Sequence, residues 1–323
     1  MWKYSNDYKK VENMIISASR RTDIPAFYSD WFYNRIKAGF VDVRNPMNIH
    51  QISRINLSPK GIDCIVFWSK NPTPMLKRID ELNEYKYYFQ FTINPYDTSL
   101  ERFVPLKRNV ISAFKDLSNK IGRSRVIWRY DPILISNEIT IKYHINYFEE
   151  LAKRLEGYSS FCVISFIDLY KKTLLNTKNT TIRELDEKEM REVASSFSLI
   201  ASKYGFEVKS CAEVIDLSHE GILHGKCIDD ILIKDIVGYS LKINKDQNQR
   251  EECGCVQSID IGEYNTCMHN CIYCYANYNH NIVSKKFSYH DKESSLLIGK
   301  LEKNDMIKER LIYSLKNNDL FEL

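Results

Sequence analysis

Short runs of apolar and aromatic residues, each five to seven residues long, recur along the first two thirds of the chain. They occupy residues 14–19, 40–44, 62–68, 87–93, 125–130, 161–167 and 206–211. A strand that is buried on both faces has no solvent-exposed face, so its sequence lacks the alternation of polar and apolar positions. Several of these runs are continuously apolar or aromatic, and these therefore predict the strands of a parallel sheet.

Segments with helical periodicity separate these runs. The clearest is residues 186–204, whose apolar residues fall on one face of a helix. Predicted helices at residues 105–121 and 139–156 are each followed directly by a glycine, which is typical of a helix end. The alternation of strands and helices predicts an α/β fold with a parallel sheet and right-handed crossovers. With this number of units, we expect a full or partial TIM-like parallel (β/α) barrel.

Charged side chains gather at the points where the predicted strands end. In a (β/α) barrel, the loops at the carboxyl ends of the strands carry the catalytic groups. We therefore interpret six charged residues as candidates that face a substrate: Arg20, Arg21, Asp23, Asp131, Asp168 and Glu213. The alternative interpretation is a set of solvated turns, since Asp, Asn and Pro are common turn residues.

Composition adds few constraints. The chain has 323 residues and a net charge of +4, which permits a nucleic-acid partner without indicating one. Residues 1–13 are polar and lack the apolar core of a signal peptide, and no apolar run approaches the ~20 residues of a membrane span. Nine cysteines, an odd number, favour metal binding in a reducing compartment over a disulfide framework. We therefore expect a cytoplasmic protein that does not bind membranes.

Three of the cysteines form a compact motif near the C-terminal end: Cys267, Cys271 and Cys274. A 4Fe–4S cluster normally takes four thiolates, so three would leave one iron available to a small chelating cofactor. The main alternative is a structural zinc held by Cys253, Cys255, Cys271 and Cys274. That alternative leaves Cys267 without a role and does not explain the regular spacing of the motif.

The motif divides the chain into three predicted parts. Residues 1–210 form the barrel body, and residues 211–280 form a cysteine-rich segment that completes the barrel and binds an Fe–S cluster. Residues 281–323 form a charged tail with scattered leucines, for which we expect a helix. One more strand is predicted at residues 255–261. Because the last strand of a closed barrel lies beside the first, the loop after this strand would reach the mouth of the barrel.

The Cys-x3-Cys-x2-Cys motif, with Tyr273 directly before its last cysteine, resembles that of the radical S-adenosylmethionine (SAM) superfamily. The run from Cys267 to Ala276 is most similar to the branch that includes spore photoproduct lyase-like proteins. The whole chain also resembles a bacterial family known as a domain of unknown function, with this motif at its C-terminal end. Most radical SAM enzymes carry the motif after the first barrel strand, whereas here it comes last.

The resemblance implies a cofactor, a reaction type and an electron donor. The cluster would bind SAM through its open iron, and an electron from flavodoxin or ferredoxin would release a radical that abstracts hydrogen from an unknown polar substrate. The Gly-Gly-Glu run with which the superfamily usually binds SAM is absent, since the chain contains no Gly-Gly pair. We therefore assign SAM binding to Lys70, Asn71, Arg129 and Tyr273.

Four other cysteines follow the last predicted strand of the barrel body or lie near the motif: Cys211, Cys227, Cys253 and Cys255. They match the complement of a second, closed 4Fe–4S cluster or of a structural zinc, for which His219 or His224 could substitute as a ligand. Cys64 and Cys162 lie inside apolar runs and are expected in the core. An alternative function is a non-radical module that binds zinc or an Fe–S cluster through four cysteines and interacts with nucleic acid.

Overall fold

The computed structural model describes residues 14–310. Its strands, in chain order, are β1 (Met14–Ala18), β2 (Phe40–Asn45), β3 (Asn48–Asn56), β4 (Ile62–Ser69), β5 (Tyr87–Thr92), β6 (Val126–Ile133), β7 (Phe161–Phe166), β8 (Glu207–Ser210), β9 (Leu223–His224), β10 (Ile259–Asp260) and β11 (Met306–Glu309). Eight of them form one sheet in the order β10-β1-β4-β5-β6-β7-β8-β9, and every pairing in it is parallel. The predicted α/β fold with a parallel sheet is therefore confirmed.

The α-helices of the described chain lie mostly between these strands. They are α1 (Ile24–Phe27), α2 (Ser29–Ala38), α3 (Thr73–Leu76), α4 (Lys107–Ile121), α5 (Ile141–Leu155), α6 (Lys171–Thr177), α7 (Glu187–Lys203), α8 (Asp230–Val237) and α9 (His280–Phe287). The longest, α7, begins at a capping box in which Asp186 and Glu189 each accept the backbone N–H of the other. None of the described helices is both long and apolar enough to cross a membrane.

One predicted strand of the barrel body belongs to a different sheet. Residues 40–44 lie in β2, which pairs antiparallel with β3, and β11 adds to the other side of β3. The connection from Asn45 to Asn48 is too short for a parallel crossover, which needs a dozen or more residues. The assignment of residues 40–44 to the main sheet was therefore wrong.

The main sheet carries a different cover on each face. On one face, β4, β5 and β6 contribute Phe67, Phe89 and Trp128 to a large apolar core beneath the helices. On the other face, Val66, Tyr88 and neighbouring residues pack against a segment that contains Cys227, Ile228, Ile233, Cys253 and Cys255. The cysteine-rich segment thus covers part of the face that the interior of a barrel would occupy. In the described chain, the edge strands β9 and β10 are not paired with each other, so strand pairing does not show a closed barrel.

The tail differs from its prediction. In place of a helix after residue 290, the described chain has turns and then β11, and residues 311–323 lie outside the described part. The turns pack against α2, where the Trp31 indole N–H donates to the Ser294 carbonyl at 2.9 Å. Leu296 and Leu297 are buried in these turns and Leu301 is exposed, so the leucines within the described residues do not form one face of a helix.

Candidate cofactor and metal site

Asp260 joins β10 to β1, which are the last and the first strand of the main sheet in chain order. Its carboxylate accepts hydrogen bonds from the Ser17 hydroxyl at 2.8 Å, the Ser19 hydroxyl at 2.6 Å and the Arg20 amide at 2.8 Å. The Arg21 guanidinium adds an ion pair at 2.9 Å. Burial opposes ionisation, but Arg21 and these donors together lower the pKa of Asp260. Arg21, which we had assigned to the substrate, is therefore engaged in holding β10 against β1.

The turn after β10 depends on a glycine. A Cβ atom at Gly262 would stand 2.1 Å from the Ser19 hydroxyl oxygen and 3.0 Å from a methyl group of Thr22. Any other side chain would collide with the loop that follows β1. Glycine at this position lets the two loops approach closely, and the chain then enters the cysteine motif.

The three cysteines of the motif lie in one loop that begins at the carboxyl end of β10. Cys271 is buried, and Cys267 and Cys274 are partly exposed. The Asn277 amide donates to the Cys267 carbonyl at 2.8 Å, and the Ala276 amide donates to the Cys274 sulfur at 3.4 Å. Burial raises the pKa of each thiol. Charge on Cys271 and Cys274 raises the pKa of Cys267 further, and charge on Cys274 raises that of Cys271.

Asp23 ties this loop to the end of β4. Its carboxylate accepts the Ser69 hydroxyl and the Lys70 amide, each at 2.8 Å, and it meets the His269 Nε2 at 2.8 Å. Asp23 also caps α1 through the Ala26 amide at 2.9 Å. Asp23 is buried, and these contacts brace the loop after β1 against the end of β4 and the motif loop. Its predicted contact with a substrate stays a prediction.

A buried charged network lies against Cys271. The Lys70 ammonium donates to the Glu101 carboxylate at 2.8 Å and to the Tyr273 hydroxyl at 3.1 Å, and that hydroxyl donates to the same carboxylate. Lys107 pairs with the second carboxylate oxygen at 2.5 Å. Burial would raise the pKa of Glu101, but the two lysines lower it to about 2. Two of the residues that we assigned to SAM, Lys70 and Tyr273, thus lie together beside the motif.

The network continues to the end of β6 through Asn94. Its amide nitrogen approaches Glu101 at 3.3 Å and donates to the Asp131 carbonyl at 2.7 Å, while its amide oxygen accepts the Asp131 amide at 2.8 Å. Asp131 then pairs with Arg129, whose Nε lies 3.0 Å from the carboxylate. The carboxyl ends of β4, β5 and β6 are therefore linked by side-chain contacts.

Arg129 points to the second set of cysteines. Its guanidinium donates to the Cys227 sulfur at 2.8 Å and approaches the Gln90 side-chain oxygen at 3.4 Å. In the described chain it makes no hydrogen bond or ion pair with a residue of the motif loop. Arg129 therefore contacts the second set of cysteines directly and joins the network of Lys70 only through Asp131 and Asn94.

The second set of cysteines is brought together on the face of the sheet. The Cys211 and Cys227 sulfurs lie 2.9 Å apart, and the amides of Cys227 and Ile228 donate to the Cys255 sulfur at 3.2 and 3.4 Å. Hydrogen bonds from the Cys227 and Cys253 thiols lower the pKa of Cys255 to about 2. As these side chains stand, no three His, Cys, Asp or Glu residues within 14–310 have the arrangement of a metal-ion site.

The remaining predicted site residues lie around this region. Asn71 accepts the Thr73 amide at 3.4 Å in a turn, and Asp168 is exposed and pairs with Arg250. The Glu213 carboxylate accepts the Phe166 amide at 2.9 Å, and burial raises its pKa to about 8. The Arg20 guanidinium lies 5.5 Å from the Trp68 ring centre, and its Nη2 atom is buried without a hydrogen-bond partner.

Sequence reasoning missed Glu101 and Asp260, on which much of this geometry depends. Asp260 lies inside the predicted strand at residues 255–261, where an acidic residue between two isoleucines reads as a solvent-facing position. Glu101 has no local signal, because it follows β5 by several residues in an irregular loop. His269, inside the motif, and Asp23, among the charged strand-end residues, were both visible in the sequence, but their pairing was not.

Comparisons with known proteins show the family. A family model described as "Domain of unknown function (DUF1848)" matches residues 15–276. A search of curated proteins found no match. Among solved structures, the chain is similar to one from Bacteroides thetaiotaomicron described as a "putative alpha-L-fucosidase". The match has 11% identity and a TM-score of 0.29, and it covers 89% of this chain and 97% of that chain.

Proposed function

The chain belongs to the DUF1848 family, and we propose that it is a radical SAM enzyme that acts on a polar substrate. The observation that carries the proposal is the grouping of Cys267, Cys271 and Cys274 in one loop at the carboxyl edge of a parallel sheet, with a buried charged network against Cys271. Three thiols in one loop supply one ligand fewer than a closed 4Fe–4S cluster takes. We also propose that the sheet is a partial (β/α) barrel.

The donor set fits a three-thiolate cluster. A single zinc ion holds its thiolates within about 3.8 Å of one another, as follows from Zn–S bonds of about 2.3 Å in a tetrahedron. A cubane places each thiolate on a different iron, so its ligands stand farther apart. In the described residues, no sulfur–sulfur hydrogen bond joins the three motif thiols, although charge on Cys274 raises the pKa of both Cys267 and Cys271. The number of thiols favours the cluster, because a structural zinc takes four protein ligands and this loop supplies three.

When bound, the cluster and SAM supply a 5′-deoxyadenosyl radical by one-electron cleavage, with flavodoxin or ferredoxin as the proposed donor. The chain's own part is to hold and orient these groups. Burial raises the pKa of Cys271 to about 12, and the nearby Lys70 ammonium opposes that rise and favours the thiolate that iron requires. The Ala276 N–H stabilises negative charge on the Cys274 sulfur in the same way.

Lys70 and Tyr273 are the proposed SAM-binding groups that the contacts of the motif support best. SAM's methionine end carries a carboxylate that needs a charge-assisted partner, and Lys70 is the cation whose ammonium lies against both Tyr273 and the motif. Glu101 already holds that ammonium, so a SAM carboxylate would share it or replace one of its partners. We therefore retain Lys70 and Tyr273 in the proposal and withdraw Arg129, because its contacts belong to the other cysteine set. Asn71 stays on the edge of the site, in a turn.

Two of the residues that remain for a substrate, Asp168 and Glu213, follow β7 and β8. Glu213 is neutral near pH 7 because burial raises its pKa to about 8, so it can donate a hydrogen bond. Asp168 and Arg250 form an exposed pair close to it. A neutral acid and a solvent-facing ion pair favour a polar molecule over an apolar one.

The test is anaerobic reconstitution of the full chain with iron and sulfide. We expect an Fe–S chromophore, reductive formation of 5′-deoxyadenosine from SAM, and loss of both in the Cys271→Ala variant. Cys162→Ala, which removes a buried thiol from the core of the sheet, is the matched control and should keep both. If the triple Cys→Ala variant of 267, 271 and 274 still cleaves SAM reductively, the proposal is wrong. A colourless protein that binds oligonucleotides in a salt-dependent manner would instead favour the nucleic-acid module.

A further inference from the structure

The structure assigns a second metal site to Cys211, Cys227, Cys253 and Cys255, and we propose that it holds one zinc ion through four thiolates. These cysteines come from three separate stretches of the chain: the end of β8, the loop before α8 and the loop before β10. The fold brings all four against one face of the main sheet. The inference does not depend on radical chemistry at the Cys267–Cys274 loop.

The spacing of the sulfurs favours a single ion over a cluster. The Cys211 and Cys227 sulfurs are in direct contact at 2.9 Å, and Cys255 interacts with the thiols of both Cys227 and Cys253. Tetrahedral zinc would set its thiolates about 3.8 Å apart, so the contacting pair has to separate by about 1 Å for the ion to enter. A cubane would require a much larger expansion, because each thiolate binds a different iron. In the described residues 14–310, no three His, Cys, Asp or Glu side chains have the arrangement of a metal-ion site, so zinc binding requires this separation.

Two arginines lie against the set, although Arg129 also pairs with Asp131 and the Arg20 guanidinium lies 3.9 Å from the Asp246 carboxylate. Zinc with four thiolates carries two negative charges. Arg129 is buried and donates to the Cys227 sulfur at 2.8 Å. Arg20 lies near the thiols of Cys253, Cys227 and Cys255, and its Nη2 atom is buried without a hydrogen-bond partner. Metal-bound thiolates commonly receive such outer-shell hydrogen bonds.

Backbone amides also point at the set. The Cys227 and Ile228 N–H groups both donate to the Cys255 sulfur, at 3.2 and 3.4 Å. A thiolate accepts such bonds more strongly than a neutral thiol does, so the loop is arranged for a charged sulfur. Because the four ligands come from protein and three of the cysteines are buried, no position remains for a substrate, as in structural zinc sites. The ion would fasten the segment from Cys227 to Cys255 onto the sheet.

The experiment measures metal content in the full chain, purified anaerobically, by mass spectrometry of the elements. We expect about one zinc per chain in the wild type and also in the triple Cys→Ala variant of 267, 271 and 274. The double variant Cys253→Ala/Cys255→Ala should lose that zinc, and Cys64→Ala, a buried cysteine outside the set, should keep it. Cobalt(II) added to the zinc-depleted triple variant should give thiolate-to-cobalt absorption with the intensity of four thiolates.

Three results would overturn the inference. About four irons with sulfide remaining in the triple variant would show a closed cluster at this set. A Cys211–Cys227 disulfide in the anaerobically purified protein would show a redox pair. Wild type without zinc that also fails to take up cobalt would remove the site altogether. Should the double variant fail to fold, the wild-type and triple-variant measurements still decide, and none of these results bears on SAM cleavage by the other loop.

Discussion

Replacing Asp260 with Asn tests whether one carboxylate holds the last strand of the sheet against the first. The Asp260 side chain is 19% exposed and accepts hydrogen bonds from two hydroxyls, two backbone amides and the Arg21 guanidinium. Asn has nearly the same shape but carries no charge and turns an NH2 group toward some of these donors. The substitution therefore removes the ion pair and part of the hydrogen bonding without creating a cavity.

The expected cost follows from the contacts that are lost. A hydrogen bond to a charged group contributes about 1.5–3 kcal/mol, and breaking a fully buried pair costs about 3–5 kcal/mol. Because Asp260 is partly exposed and its hydrogen bonds are not additive, we expect the free energy of unfolding to fall by about 2–4 kcal/mol. The motif loop follows β10 directly, so amide exchange should increase across residues 259–277.

Urea unfolding followed by tryptophan fluorescence gives the free energy, and hydrogen exchange measured by mass spectrometry gives the local effect. Glu149→Gln is the control, because it neutralises a carboxylate that pairs with Lys203 on the surface at 2.7 Å. Exposed ion pairs contribute little, so this variant should unfold like the wild type. If Asp260→Asn loses less than about 1 kcal/mol, or exchange in the motif loop stays unchanged, Asp260 does not hold the two strands together.

Three further substitutions test separate parts of the argument. Gly262→Ala should lower the free energy of unfolding by about 1–3 kcal/mol in urea titrations, because its Cβ has no room, whereas Gly61→Ala, with 3.4 Å to its nearest neighbour, should not. Burial lowers the pKa of His144 to about 4, below the unfolded value near 6.5, so wild-type stability should fall by about 3 kcal/mol as pH drops from 6.5 to 4. His144→Gln should lack that slope in urea titrations across this pH range. Glu101→Gln should cost about 3–5 kcal/mol in urea, because it leaves the Lys70 ammonium without its buried carboxylate, and an unchanged urea midpoint would contradict the network.

The central strands could be predicted because a strand that is buried on both faces has mostly apolar residues. The strands β4, β5 and β7 are buried along most of their length, and each appears as a continuous apolar run. The run at residues 40–44 differs from them, because Val41 and Val43 alternate with Asp42 and Arg44, and it forms a hairpin with β3 across a two-residue connection. Local patterns thus predicted that strands exist, whereas partner choice depended on connection length.

The cover on the second face of the sheet could not be predicted. Residues between Cys227 and Cys255 include α8 and irregular chain, with no alternation that would mark them as packed on a strand surface. Their burial follows from the position of the cysteines and of Ile228 and Ile233, each of which is a single apolar contact. We expected a barrel interior at this face because the sequence shows the number of strands but not what packs against them.

The candidate site was predictable as far as residue type and spacing define it. The spacing of the cysteines predicted one set of three thiols in the motif and a second set of four, and in the structure the members of each set lie together. Residue type and spacing did not predict which cation lies beside which set of thiols. Lys70 follows the predicted strand at residues 62–68, and Arg129 lies near the end of the one at residues 125–130. Only the register between β4, β5 and β6 shows that the two cations lie beside different thiols.

The motif comes last in the chain, but β10, which precedes it, pairs with the first strand, β1. Since Ile259 and Asp260 align with Ile16 and Ser17, the loop after β10 opens at the same edge as the loops after β4 and β5. Each thiol set then meets its own cation at that edge, Lys70 at Cys271 and Arg129 at Cys227. The chain order of the strands is therefore immaterial to the site, because parallel strands present all their carboxyl ends on one side. Loss of the ligands of one set should for the same reason leave the other set's cation and backbone donors in place.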